Sequence, residues 1–140
     1  MRGVEDLFAY NQYKKSADGK RDYIAVIEAE MRAIKSGVNG EAVRGGGGGN
    51  KLDTLIDKKD RLKAELERVE SILRMVENAV GRLPERDQTV LRRFYLEDNS
   101  STQACELLMD DLTLSTPRWA YRLRNKALEA YETLWEDIDH

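Results

Sequence analysis

From Leu52 to Leu83 the chain repeats apolar residues at alternating steps of three and four. Written as heptads, the a positions are Leu52, Lys59, Leu66, Leu73 and Val80, and the d positions are Leu55, Leu62, Val69, Val76 and Leu83. Only Lys59 interrupts the apolar series. A repeat of this period holds one stripe of a helix against a partner, which is the pattern of a coiled coil. Asp53 suits the start of such a helix, where acids are favoured. Pro84 ends it, because the residue before a proline is pushed out of the helical region. A shorter seam with the same spacing lies upstream at Ile24, Ile27, Met31 and Ile34.

Between the two seams runs SGVNGEAVRGGGGGN. Five consecutive glycines leave the backbone unrestrained, so 37–50 is expected to be a flexible loop. Two seams joined by a loop predict an antiparallel helical hairpin over 1–83. Its first helix extends back through Leu7, Phe8 and Tyr10, with an interruption expected near Asp18-Gly19. The upstream seam is about half as long as the downstream one, so part of the latter needs another cover. Leu62, Leu66, Val69, Leu73, Val76 and Val80 are therefore expected to build a homodimer, with Lys59 setting register at some cost in stability.

Charged residues are 35% of the chain and the mean hydropathy is −0.65, which points to exposed helices rather than a buried sheet. Cys105, the single cysteine, rules out an internal disulfide and suits a reducing cytoplasm. No apolar run reaches membrane-spanning length, and MRGVEDLF carries acids where a secretion signal would be apolar. Site chemistry is sparse. His140 is the only histidine and the last residue, and Asp110-Asp111 are adjacent without a third ligand. The glycine run lacks the GK[ST] of a phosphate loop. Neither metal, cofactor nor catalysis is expected.

After Pro84 three shorter helices are expected: Glu85 to about Glu97, Ser101 to about Met109, and Thr116 to about Glu136. EDNSS supplies a cap for the second, and Ser115 with Pro117 opens the third. The link MDDLTL, 109–114, is expected to be a long turn. Between Leu112 and Leu128 there is no Asp or Glu, while Arg118, Arg122, Arg124 and Lys126 all fall there. The acids collect afterwards, at Glu129, Glu132, Glu136, Asp137 and Asp139.

A short helix, a turn and a cationic second helix follow the plan of a helix-turn-helix, whose second helix enters the DNA major groove. Arg118, Arg122 and Asn125 share one helical face and suit guanine and adenine edges. Thr116, Arg124 and Lys126 are expected to meet the phosphate backbone, with Ser115 and Tyr121 completing the DNA face. The opposite stripe, Trp119, Leu123 and Leu128 with Ala120 and Ala127, is expected to pack on Val90, Leu91, Phe94, Ala104, Leu107 and Leu108.

The stretch 83–134 resembles region four of bacterial sigma factors. The likeness rests on Leu83-Pro84-Glu85-Arg86, Val90-Leu91, Phe94-Tyr95, Ser115, Trp119 in an apolar slot, Arg122-Leu123 and Ala127-Leu128. With the upstream helices and the ending YRLRNKAL, the chain is similar to phage late-gene transcription regulators of the ArpU/RinA type. That resemblance implies an all-α protein of the bacterial host cytoplasm, with a three-helix module over 84–136 and an acidic tail over 137–140. Its implied partners are double-stranded DNA and RNA polymerase. Two other readings stay open. One is a protein adaptor docking on polymerase or a host regulator through Trp119, Tyr121, Trp135 and the tail. The other is a structural coiled coil.

Overall fold

A computed structural model describes residues 2–36 and 47–139. The protein is all-α: α1 (Arg2–Phe8), α2 (Tyr10–Lys35), α3 (Gly47–Gly81), α4 (Glu85–Leu91), α5 (Ser101–Leu112) and α6 (Pro117–Asp139). A π-helical turn, Arg92–Leu96, continues α4. None of the described helices is long and apolar enough to cross a membrane.

Most of the expected loop, 37–46, lies outside the described residues. Its last part does not: α3 begins at Gly47, so Gly47–Asn50 are helical. The interruption expected near Asp18-Gly19 is absent, and α2 runs through Gly19 without a break. At the other end α6 continues to Asp139, so Asp137 belongs to a helix and not to a tail.

Two compact units divide the chain, and the division does not fall at Pro84 as the sequence suggested. One unit is Lys14–Ser71; the other combines Met1–Tyr13 with Ile72–His140. Both α2 and α3 therefore contribute to each.

In the Lys14–Ser71 unit, α2 and α3 run antiparallel. Arg21 pairs with Glu70 at 2.8 Å and Lys59 with Glu28 at 3.4 Å, so rising numbers on one helix meet falling numbers on the other. Lys58 also lies over the Tyr23 ring at 5.1 Å. The apolar contact is thin: Ile27, Ile34 and Leu55 are buried, with Met31, Leu52 and Leu62 packed against them. Lys59 is the polar member of the seam, and it pairs with Glu28 across the two helices.

The other unit holds the larger core. Val4 and Leu7 of α1 and Tyr10 at the start of α2 join Val76, Val80 and Leu83, the last heptads of the seam. Val90, Leu91 and Phe94, then Ala104, Cys105 and Leu108, then Ala120, Ala127, Tyr131 and Trp135 complete it. This corrects the dimer assignment for Val76 and Val80, which are 1% and 0% exposed inside their own chain, and for Leu73, which packs on the same core. A heptad states that a position is covered, not by what. Leu66 and Val69 remain half-buried.

Polar side chains fix the joints of this unit. Gln88 donates from Nε2 to the carbonyls of Gly81 at 3.1 Å and Leu83 at 2.7 Å, binding the end of α3 to α4. Asn11 donates to the carbonyls of Tyr95 at 3.0 Å and Glu97 at 3.3 Å, which the end of the π turn would otherwise leave without helical donors. The Tyr10 hydroxyl donates to Glu77 Oε1.

Candidate nucleic-acid interface

The geometry of α6 is set by how α5 begins and ends. Ser100 and Gln103 form a reciprocal capping box: Ser100 Oγ accepts from the Gln103 N–H at 3.1 Å, and Gln103 Oε1 accepts from the Ser100 N–H at 3.0 Å. From there α5 runs on to Leu112, past the expected end at Met109. Thr113 then turns left-handed, with φ 54° and ψ 51°. The Leu114 N–H donates back to the Met109 carbonyl at 2.9 Å, and Leu114 packs on the core. This is the hydrogen bond and apolar contact of a Schellman-type helix end. The turn between α5 and α6 is thus 113–116, and the long link expected over 109–114 is corrected to a tight one.

Asp111 does not stand as an open charge at this turn. Arg93 grips it from two nitrogens, Nε to Oδ2 at 2.8 Å and Nη2 to Oδ1 at 3.2 Å, and also holds Glu97 at 3.0 Å. Asn99 donates to the Arg93 carbonyl at 3.0 Å. The clamp ties the π turn to the last turn of α5, upstream of the point where α6 departs.

Pro117 opens α6, where its missing N–H costs no helical bond. At 100° per residue, Ala120, Ala127 and Tyr131 point one way, and all three are fully buried. Arg118, Arg122 and Asn125 point the opposite way, and all three are exposed. Ser115 and Thr116 are exposed in the turn, and Lys126 is exposed beside the stripe. The small Ala120 and Ala127 let the α6 backbone approach its neighbours closely, which directs the cationic face outward.

Charge along α6 runs against helix stability. No acid lies in the first turn and no base in the last. Arg118 therefore meets the positive end of the helix dipole and Asp137 the negative end. The consequence is concentrated positive potential at the start of α6, where backbone N–H groups also face outward.

Four expected residues sit differently. Trp119 is not in the apolar stripe but 49% exposed, with the Arg122 guanidinium 5.1 Å from its ring centre. It lies about 100° from the centre of the outward face, and the core side is taken by Ala120 and Ala127. Arg124 is half-buried, its guanidinium 5.5 Å from the Phe94 ring and 5.1 Å from Tyr121. It packs between rings instead of reaching outward to phosphate. Tyr121 is 36% exposed and packs 5.9 Å from Phe94. Trp135, expected as an exposed contact, is 9% exposed within the core.

The reading of the sequence missed the Arg93–Asp111 clamp, because a separation of eighteen positions hides the pairing. It also treated Glu129, Glu132 and Glu136 only as summed charge. Their spacing, continuing that of Arg118, Arg122 and Asn125, was the available signal.

No protein-family model, curated protein or solved structure matches the chain.

Proposed function

We propose that the chain is a sequence-specific DNA-binding transcription regulator of the helix-turn-helix kind, acting by binding and not by catalysis. The observation that carries this reading is the exposure of Arg118, Arg122 and Asn125 on one outward face, directly after the four-residue turn 113–116. In this reading α6 enters the major groove, with the arginines reading guanine and Asn125 reading adenine. Ser115, Thr116 and Lys126 meet phosphate and sugar, fixing register without carrying sequence. Arg124 supports the face by holding Tyr121 in place.

The assignment to phage late-gene regulators in a bacterial host rests on the resemblance of the upstream helices, the sigma-like stretch 83–134 and the ending YRLRNKAL to regulators of the ArpU/RinA type. Self-association, which would present two α6 helices to one site, is supported by the half-exposed Leu66 and Val69 of the Lys14–Ser71 unit, whereas Leu62 packs within its own chain. One observation favours the adaptor reading: Trp119, a large aromatic at 49% exposure, is of the kind that anchors protein interfaces.

Selection of sites from a random duplex pool separates the two. The DNA reading expects a consensus for the wild type and none for Arg118→Ala/Arg122→Ala. It also expects Lys126→Ala to weaken binding evenly across sequences, lowering the salt slope by about one. Failure to recover any consensus, with retention of polymerase through Trp119, would favour the adaptor.

A further inference from the structure

The outward face of α6 does not end at Asn125. Arg118, Arg122, Asn125, Glu129, Glu132 and Glu136 follow one another by steps of four and three, within about 40° of one line along the helix. Five of the six are exposed and Glu132 is half-buried. Among the described residues none of them enters an ion pair, although other cations and acids of the chain do. The stripe is positive in its first half and negative in its second.

We propose that this face docks a second copy of the chain, α6 against α6, antiparallel about a two-fold axis. An axis through the stripe between Asn125 and Glu129 sets Arg118 opposite Glu136 of the second copy and Arg122 opposite its Glu132. Asn125 then meets Glu129. Two-fold symmetry repeats each contact, giving four arginine–glutamate pairs from two positions each of cation and acid. A parallel pairing would set arginine on arginine, so only the antiparallel arrangement fits. Exposed ion pairs are individually weak and screened by salt, so the association is salt-sensitive and reversible. Because Arg118 and Arg122 are also the proposed base readers, pairing and DNA binding exclude each other. That competition rests on the DNA reading; the pairing does not.

Sedimentation velocity of the full chain at about 50 mM and about 500 mM salt, conditions of weak and strong screening, tests it. The wild type is expected to show roughly double the average mass at low salt that it has at high salt. Apolar contacts through Leu66 and Val69 would not give that dependence. Arg118→Glu/Arg122→Glu makes the stripe wholly acidic and abolishes the low-salt species, as does Glu132→Arg/Glu136→Arg, which makes it cationic. Mixing these two variants restores a complex, and combining all four substitutions in one chain restores self-association. Each variant changes exposed or half-exposed positions on α6, and circular dichroism checks that helicity is kept. A wild-type mass independent of salt, or no recovery on mixing and on combining, overturns the proposal. Absence of DNA binding leaves it standing.

Discussion

Arg93 and Asp111 are joined by two hydrogen bonds, at 2.8 and 3.2 Å, across eighteen residues of sequence. The pair is the only described link between the π turn and the last turn of α5 that both ends hold by charge. Its side chains are 29% and 28% exposed, so it is partly sheltered from water. A two-point pair of this kind is expected to couple by about 0.5–1 kcal/mol. A double-mutant cycle of Arg93→Ala and Asp111→Ala in urea unfolding should show that coupling, and additive losses would show that the clamp carries no energy of its own.

Gly3 approaches Trp135 so closely that a Cβ built on it would lie 2.2 Å from Cδ1 of the indole. A ring packed in a core cannot swing aside as a flexible side chain does. Gly3→Ala is therefore expected to loosen α1 from α6 and to destabilise this unit by about 1–3 kcal/mol. Thermal unfolding read by tryptophan fluorescence measures it; an unchanged melting temperature would mean that α1 is not tightly docked.

Thr113 holds a left-handed conformation, φ 54°, that a β-branched residue adopts at a cost. Thr113→Gly removes the clash and should stabilise the unit by about 1 kcal/mol. The gain appears as a raised denaturant midpoint. A lowered midpoint would mean that the threonine side chain, or the extra backbone freedom of glycine, outweighs the strain.

Tyr10 and Tyr131 are both pushed up to about 12 by burial, with the bond to Glu77 adding to the effect at Tyr10. Their ordinary value is 10.0, so the folded state holds them neutral where the unfolded chain ionises them. That contribution to stability is complete below pH 10 and is lost as the pH rises toward 12. Denaturant midpoints should fall steeply across this window, and Tyr10→Phe/Tyr131→Phe should flatten the fall. An equally steep loss in the double variant would assign it to other groups.

Much of this architecture was legible in residue spacing. The ten heptad positions from Leu52 to Leu83 are all buried or half-buried, because helical period alone decides which side of a helix is covered. What covers it depends on contacts distant in sequence, and so Val76 and Val80 were assigned to a dimer when they belong to the core with Val4, Leu7 and Tyr10. Gly19 was read as a break, yet packing of both ends of α2 outweighs the modest helix cost of one glycine. The end of α5 was missed because Thr113 gives no local sign of a left-handed turn, a place where glycine is the usual signal. At the candidate site the outward cations were legible from their period. The positions of Trp119 and Arg124 were not, since hydrophobicity and charge do not reveal which side chain stacks on which ring.

The outward cations of α6 are proposed to meet DNA. Fluorescence-anisotropy titration of the full chain against duplexes from its own gene neighbourhood, at about 50 and 200 mM salt, tests it most directly. The cations that α6 brings to DNA, Arg118, Arg122 and Lys126, predict up to roughly 40-fold weaker binding at the higher salt, and loss of binding in Arg118→Ala/Arg122→Ala. No binding by the wild type at low salt, or equal binding by that variant, would mean that these cations do not meet DNA.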